Sequence, residues 1–179
     1  MTRPRCSALR VADAWTHVVV DTTRAVTRLH YSNTFARTPA VRYVLSHAGG
    51  TIPYLAQRFD QLDSLAVVPG AEERGSAREQ LRRLYWDTAL AFEQPVLDLL
   101  RDVIGLDHVV FGSDRPYALA QSEAGAVAIR TADHLTADER AAISWRNAQH
   151  LLPRLRDQRA SSTESSPTSS PPGRRDGYS

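Results

Sequence analysis

Apolar residues fall into short runs along the first 156 residues, and more polar segments with helical spacing separate them. Three mostly apolar runs predict buried strands, at residues 41–46, 84–87 and 109–112. Apolar positions at helical spacing predict helices at residues 21–38, 52–65, 95–104, 123–132 and 137–152, with a shorter helical piece ending at Arg82 or Arg83. Strands that alternate with helices are typical of an α/β fold with a parallel sheet, whose short apolar strands are buried on both faces.

Residues with capping chemistry mark the predicted ends of two helices. Asp21 or Thr22 is the predicted cap of the first helix, and Thr136 with Glu139 forms a capping box before the last one. The segment at 67–78, between the second helix and the second strand, is polar and is predicted to be largely a connection.

Composition divides the chain into three parts. Residues 1–20 form an N-terminal segment of poorly defined structure, and residues 21–156 form the ordered α/β unit. Residues 157–179 are rich in Ser, Thr, Pro and Gly and contain almost no apolar side chain. Because such a segment cannot bury enough apolar surface to offset its ordering entropy, it is predicted to be a disordered tail.

Polar side chains stand at the end of each predicted strand. His47 follows the first strand in "VLSHAGG", Asp87 ends the second, and Asp114 follows the third in "VVFGSDRPY". In parallel sheets the chemistry collects at the carboxyl ends of the strands, so these residues are candidates for metal ligation or proton transfer. A purely structural role stays open as the alternative. A strand-end histidine can hydrogen-bond a nearby carbonyl, and an aspartate before Arg-Pro can cap a turn.

Charge, cysteine content and apolar run length exclude several classes of protein and of binding partner. The formal net charge is +2 and the basic residues are scattered, which argues against nucleic-acid binding. Cys6 is the only cysteine, so the sequence has no disulfide framework or thiolate cluster. No apolar run approaches the about 20 residues of a membrane span, and the N-terminus lacks the apolar core of a signal peptide. We therefore expect a cytoplasmic protein without membrane contact.

Several separate motifs resemble the C-terminal half of the amidohydrolase-related family, which includes aminocarboxymuconate-semialdehyde decarboxylase. They are "SHAGG", "LRRLYWDTAL", "VVFGSDRPY" and "RNAQHLL", within a resemblance that runs from about Asp21 to Leu155. The resemblance implies a TIM-type (β/α)8 barrel, a divalent metal (most often zinc) and hydrolase or decarboxylase activity on a small carboxylated substrate. It also implies that Asp114 is a metal ligand and His47 the catalytic histidine. Asp87 matches a recurrent acid without an assigned role, and Arg58 a recurrent arginine expected to lie at the surface or pack.

The sequence departs from this family at its metal site. The family opens with a His-x-His pair and carries a further metal histidine on the fifth strand, and these 179 residues contain neither. His17 precedes a "VVV" run that is expected to pack, and His30 lies in a helix as an exposed or packing residue. The expected architecture is therefore a partial barrel holding strands six to eight, because closing a barrel needs eight strands.

Two functional hypotheses follow from this departure. The first is a metal-dependent hydrolase or carboxy-lyase in which His47 acts as acid and base and Asp114 binds the metal. The second is a catalytically inactive fragment or partner subunit, since a structural or catalytic zinc needs three or four ligands and the sequence identifies one or two. In the second case a homo-oligomer, or a missing half on another chain, would complete the site. The sequence identifies no substrate-binding residue.

Overall fold

Nine α-helices and three short strands form the part of the chain that the structure describes. The computed structural model describes residues 5–65 and 67–155, with side chains from residue 16 onward. The helices are α1 (Arg5–Tyr31), α2 (Thr34–Arg37), α3 (Ile52–Ser64), α4 (Ala71–Arg74), α5 (Ala77–Arg83), α6 (Gln94–Val103), α7 (Leu119–Thr131), α8 (Ala137–Ala141) and α9 (Asn147–Leu151). The strands are β1 (Val44–Leu45), β2 (Tyr85–Asp87) and β3 (Val109–Val110). The tail predicted at 157–179 lies outside the described residues.

The three strands form one parallel sheet in the order β1-β2-β3. Leu45 is in register with Trp86, and Trp86 is in register with Val109. The prediction of adjacent parallel strands in sequence order is therefore confirmed, and the fold is α/β. The closure of these strands into part of a barrel stays a prediction.

Strand β1 corrects the prediction that every strand is buried on both faces. Leu45 is buried, but Val44 is 47% exposed and Val41, in the predicted strand, is also exposed. β1 is an edge strand of the described sheet, so it has a described neighbouring strand on one side only. Central strand β2 behaves as predicted, because Tyr85 and Trp86 are both buried.

Helix α1 starts sixteen residues before the predicted start at residue 21, since it begins at Arg5. The predicted cap Thr22 is mid-helix, and its hydroxyl donates to Val18 O at 3.0 Å, as Thr23 does to Val19 O at 2.9 Å. A threonine inside a helix can bond its hydroxyl to the carbonyl four residues back. Thr22 uses its hydroxyl in this way and does not cap a helix. The N-terminal segment predicted at 1–20 is therefore mostly part of this helix.

Other helices agree with the prediction to within a few residues, with two differences. The capping box of Thr136 and Glu139 is present before α8. The helix predicted at 137–152 is interrupted by one π-helical turn at Ala142–Arg146, and the polar connection contains the short helix α4. None of the described helices is both long enough and apolar enough to cross a membrane.

The core lies where the helices cover the sheet. Trp86 is fully buried at its centre, and its Nε1 donates to Leu81 O at 3.2 Å, so the indole has a partner for its polar atom. Fully buried aliphatic residues surround it from several elements: Ile52, Leu81, Leu97, Leu100, Val109 and Ile143. Burial of each such side chain contributes about 1.5–3 kcal/mol to the stability of the fold. The loops at the strand ends are therefore attached to a stable core.

Candidate functional site

The carboxyl edge of the sheet brings the three predicted strand-end residues to one end of the fold. His47 comes two residues after β1, Asp87 is the last residue of β2, and Asp114 comes four residues after β3. Because the strands are parallel, these positions follow the same edge. Asp87 lies near enough to both others for each to influence its charge. That His47 and Asp114 face a single cleft stays a prediction.

Asp87 and His47 are joined through the backbone of the loops that follow their strands. The His47 N–H donates to Asp87 Oδ1 at 2.8 Å, and the Ala89 N–H donates to the same oxygen at 3.0 Å. The His47 ring returns to this loop, with Nδ1 at 2.9 Å from Ala89 O. A carbonyl oxygen only accepts, so Nδ1 carries the proton and donates it. Nε2 is then the unprotonated nitrogen of neutral His47, and no described residue hydrogen-bonds it.

The backbone at the site adopts conformations that are rare for residues with side chains. φ is +54° at His47, +53° at Ala48, +53° at Leu90 and +54° at Asp114. For L-residues the left-handed region costs about 1–2 kcal/mol, so surrounding structure has to hold it. Strained backbone of this kind gathers at functional sites, and here it occurs at both residues singled out from the sequence.

Two glycines of the sequence motifs allow close packing at this edge. A Cβ on Gly49, whose φ is +70°, would lie 2.2 Å from Cζ3 of Trp86. A Cβ on Gly112 would lie 2.8 Å from Cγ of Asp87 and 3.0 Å from the backbone nitrogen of Ala89. The glycines therefore let the loops after β1 and β3 close onto the end of β2.

Asp87 is half-buried, and its burial raises the pKa of the carboxyl above the usual 3.8. The N–H groups of His47 and Ala89 oppose this rise, as does the charge of His47, while the carboxylate of Asp114 adds to it. Burial is the largest of these causes. It raises the pKa because it disfavours the charged form of the carboxyl. The two backbone donors make the buried carboxylate an ordered acceptor.

The described residues do not by themselves fit a complete metal centre. Residues 5–65 and 67–155 contain no group of three or more His, Cys, Asp or Glu side chains arranged to hold an ion. Asp114 is half-buried, and no described residue donates to its carboxylate. Its oxygens are therefore able to act as ligands, but a catalytic metal needs at least two more protein ligands.

The other sequence candidates lie away from this edge. Arg58 is exposed on α3, in agreement with the surface alternative. His30 is not exposed: it is fully buried and packs against Phe59. His17 is exposed on α1, and the "VVV" run beside it does not pack as expected, since Val18 and Val20 are exposed.

Sequence reasoning missed two residues that shape the site. Ala89 acts through its backbone N–H and carbonyl, and no side-chain signal could have identified it. Thr88 is fully buried, and its hydroxyl accepts the N–H of Gly112 at 3.2 Å. A polar residue directly after a buried strand in "LYWDTAL" was the available signal for Thr88.

Comparison with known proteins identifies the family. A family model described as amidohydrolase matches residues 7–154. The chain belongs to this amidohydrolase family. The match includes all of α1 except its first two residues.

Curated relatives of this amidohydrolase chain include decarboxylases. It is 26% identical over 132 residues to 2-amino-3-carboxymuconate-6-semialdehyde decarboxylase of Caenorhabditis elegans, covering 74% of this chain and 33% of the relative. It is 32% identical over 139 residues to the decarboxylase macB of Penicillium terrestre, covering 76% of this chain and 41% of the relative. The chain thus spans between a third and about two fifths of these relatives.

A solved structure shows the same fold. The dihydroxybenzoic acid decarboxylase of Polaromonas sp. JS666, solved with bound manganese and the inhibitor 2-nitroresorcinol, superposes with a TM-score of 0.66 at 23% identity. The match covers 84% of this chain and 47% of that chain.

Proposed function

We propose that this chain contributes the proton-transfer part of a decarboxylase site that acts on a small aromatic carboxylate. Family membership and the decarboxylases among its relatives support the reaction class. The observation that carries the proposal is the orientation of His47: its Nδ1–H is bonded to Ala89 O, which leaves Nε2 as the nitrogen that exchanges protons. Hydrolysis is the less favoured reaction, because these relatives are named as decarboxylases.

Decarboxylation requires a proton donor at the carbon that loses its carboxylate. When the carbon–carbon bond breaks, its electron pair stays on the substrate carbon and CO2 leaves. That carbon then takes up a proton, so the product carries hydrogen in place of the carboxylate. Protonated His47 can give this proton from Nε2 and return to the neutral form, while Nδ1–H keeps its bond to Ala89 O.

We assign Asp114 as one ligand of a divalent metal. Its half-buried carboxylate has no donor among the described residues, and oxygen ligands suit both zinc and manganese. The manganese in the Polaromonas decarboxylase makes that ion a candidate beside zinc. Since the described residues supply too few ligands, the rest of the metal site has to come from outside them, and a second copy of the chain or another polypeptide are two candidate sources.

This ligand count predicts little or no metal-dependent turnover from the purified chain alone. The alternative to a decarboxylase is then a catalytically inactive fragment or partner subunit with the same fold. The two differ in whether the carboxyl edge of the sheet binds an aromatic carboxylate. A partner subunit without a substrate site would leave His47 unaffected by such a compound.

The test combines turnover with binding. The purified chain is supplied with Mn²⁺ or Zn²⁺ and a dihydroxybenzoate, CO2 release is measured, and NMR follows the His47 ring signals during the titration. Matched variants are His47→Ala, Asp114→Ala and His150→Ala, the last an exposed histidine on α9.

We expect the dihydroxybenzoate to shift the His47 signals, with binding weakened at least tenfold in Asp114→Ala and unchanged in His150→Ala. Turnover that disappears in both site variants would support the decarboxylase and contradict the predicted incompleteness. Absence of both turnover and His47-dependent binding would overturn the proposed function.

A further inference from the structure

The last residues of β2 and the loop after it hold the loops after β1 and β3 in place. Asp87 Oδ1 accepts the backbone N–H groups of His47 and Ala89. Ala89 O accepts the Nδ1–H of His47, and Thr88 Oγ1 accepts the N–H of Gly112. Residues 87–89 therefore bond to the loops that carry both strand-end candidates.

One oxygen of Asp87 closes a ring of hydrogen bonds around the imidazole. From His47 N–H the ring runs to Asp87 Oδ1, then to Ala89 N–H, through the Ala89 residue to its carbonyl, and back to His47 Nδ1–H. If the carboxylate were absent, two N–H groups would lose their common acceptor. The Ala89 carbonyl would then be free to turn away from the imidazole.

The position of this carboxylate is enforced from the side of β3. Gly112 packs so closely that a Cβ there would lie 2.8 Å from Asp87 Cγ and 2.9 Å from Asp87 Cβ. Asp87 is also half-buried, so solvent does not compete freely for its oxygens. The carboxyl thus has one favourable place, between the loops after β1 and β3.

The backbone of His47 needs such support. With φ at +54°, it is in the left-handed region, where residues other than glycine persist only if neighbouring groups hold them. Among the described residues, the only acceptor of the His47 N–H is Asp87 Oδ1. Asp87 therefore helps to stabilise the turn that aims the imidazole, beside the turn's own bonds from Gly49 N–H to Ser46 O and from Gly50 N–H to His47 O.

We propose that Asp87 is a positioning residue that fixes the tautomer of His47. By accepting the N–H groups of His47 and Ala89 on one oxygen, it holds the Ala89 carbonyl against Nδ1 and so keeps Nε2 as the proton-exchanging nitrogen. The inference rests on the proposed function for the purpose of that nitrogen, but the tautomer itself can be measured without substrate or metal.

The test reads the tautomer directly. The chain is labelled with ¹⁵N at histidine, and the two ring nitrogens of His47 are assigned by comparison with His47→Ala in alkaline buffer, where imidazole is neutral. The variants are Asp87→Ala, Asp87→Asn and Gly112→Ala, with Asp102→Ala as a control that removes an exposed carboxylate from α6. Far-ultraviolet circular dichroism checks that each variant is folded.

We expect unmodified His47 to show a protonated Nδ1 and an unprotonated Nε2, and Asp87→Ala to move both signals toward the average of two exchanging tautomers. Asp87→Asn should retain most of the original pattern, because an amide oxygen still accepts both N–H groups. Gly112→Ala should shift the two nitrogen signals as Asp87→Ala does, because the added methyl displaces the Asp87 carboxyl. This variant serves as the test if Asp87→Ala does not fold.

An unchanged tautomer in Asp87→Ala, or in Gly112→Ala where Asp87→Ala is unfolded, would overturn the positioning role. So would a loss in Asp87→Asn as complete as in Asp87→Ala, because that would assign the effect to charge rather than to hydrogen bonding. A purely structural role would lower stability without moving the signals. None of these results depends on turnover, so they are distinguishable from a failure of the proposed decarboxylase function.

Discussion

His30 and His47 occupy two polar regions of the molecule with opposite designs. His30 is fully buried between α1, α3 and α5, where Nδ1 lies 3.0 Å from Gln80 Oε1 and Nε2 lies 3.2 Å from Asp63 Oδ2. His47 is half-buried at the sheet edge and uses one ring nitrogen for a backbone carbonyl. A histidine with both nitrogens engaged holds structure together, whereas one with a free nitrogen retains the capacity to exchange protons.

The surroundings of His30 extend this structural role. Arg74, also buried, donates from Nε to Asp63 Oδ1 at 3.3 Å and from Nη1 to Asn33 Oδ1 at 2.8 Å. Its guanidinium lies 5.0 Å from the ring centre of Tyr31. The network joins α1, α3 and α4, and each polar group in it depends on the others, since an unpaired buried charge is costly.

The largest expected effect is therefore on the buried side of the comparison. His30→Ala removes partners from Gln80 and Asp63 and leaves a cavity, which should lower the free energy of unfolding by about 3–5 kcal/mol. Urea unfolding followed by circular dichroism measures it. His150→Ala, at an exposed position, is the control and should change stability by less than about 0.5 kcal/mol. A loss below about 1 kcal/mol in His30→Ala would mean that the network does not hold the helices together.

A second prediction compares two glycines that share a left-handed backbone. Gly49 and Gly105 have φ of +70° and +82°, but a Cβ would meet Trp86 at 2.2 Å in the first case and nothing within 4 Å in the second. Both changes to alanine cost the left-handed strain of about 1–2 kcal/mol. Gly49→Ala should cost about 1–3 kcal/mol more, since it overpacks the core. Equal losses in thermal unfolding would show that the loop after β1 is not pressed against Trp86.

The third prediction uses pH, because the two regions should respond with opposite signs. Burial lowers the pKa of His30 below 6.5, outweighing the hydrogen bonds to Gln80 and Asp63 that raise it, and Arg74 adds to the lowering. Its contribution to stability is present above pH 6.5 and is lost as the pH falls through 6.5 toward the lower folded pKa. The pKa of Asp87 is raised, so its contribution is present below pH 3.8 and is lost as the pH rises through the higher folded pKa.

These signs are read from differences between variants. Unfolding free energies are measured from pH 4 to 8 for the unmodified chain, His30→Gln and Asp87→Asn. Relative to the unmodified chain, His30→Gln should gain stability as the pH falls below 6.5. Asp87→Asn should instead gain as the pH rises above 3.8. Each pKa unit between folded and unfolded states corresponds to about 1.4 kcal/mol. Parallel curves for all three proteins would show that neither group titrates differently on folding.

The sequence was sufficient to predict the sheet and to place the three candidate residues after its strands, because both follow from short-range pattern. Apolar runs ending in polar residues fixed β2 and β3 to within two residues and placed His47, Asp87 and Asp114 at one edge. The pattern failed for α1, whose threonines bond their own helix carbonyls instead of capping it. Whether a threonine caps or back-bonds depends on the preceding turn, which periodicity does not reveal.

The geometry within the site could not be predicted, since it depends on backbone groups. The tautomer of His47 follows from the carbonyl of Ala89, and any residue other than proline offers the same N–H and C=O there. The full burial of His30 likewise depends on Gln80, 50 residues away in the chain. The sequence identifies the side chains that can perform chemistry. Contacts between residues far apart in the chain decide which histidine is buried with both ring nitrogens hydrogen-bonded and which keeps one nitrogen accessible.

The smallest expected effect concerns His47, whose stability cost should be as low as His30's is high. His47→Ala loses one hydrogen bond and keeps the left-handed backbone, so it should cost at most about 1 kcal/mol. His47→Gly loses the same bond but removes a strain of about 1–2 kcal/mol, against about 0.5–1 kcal/mol for the greater freedom of glycine in the unfolded chain. The glycine variant should therefore be more stable than the alanine variant by about 0.5 kcal/mol, measured by urea unfolding. If the alanine variant is instead the more stable of the two, the backbone at φ +54° carries no strain. Holding the imidazole of His47 at this edge would then cost the fold no stability.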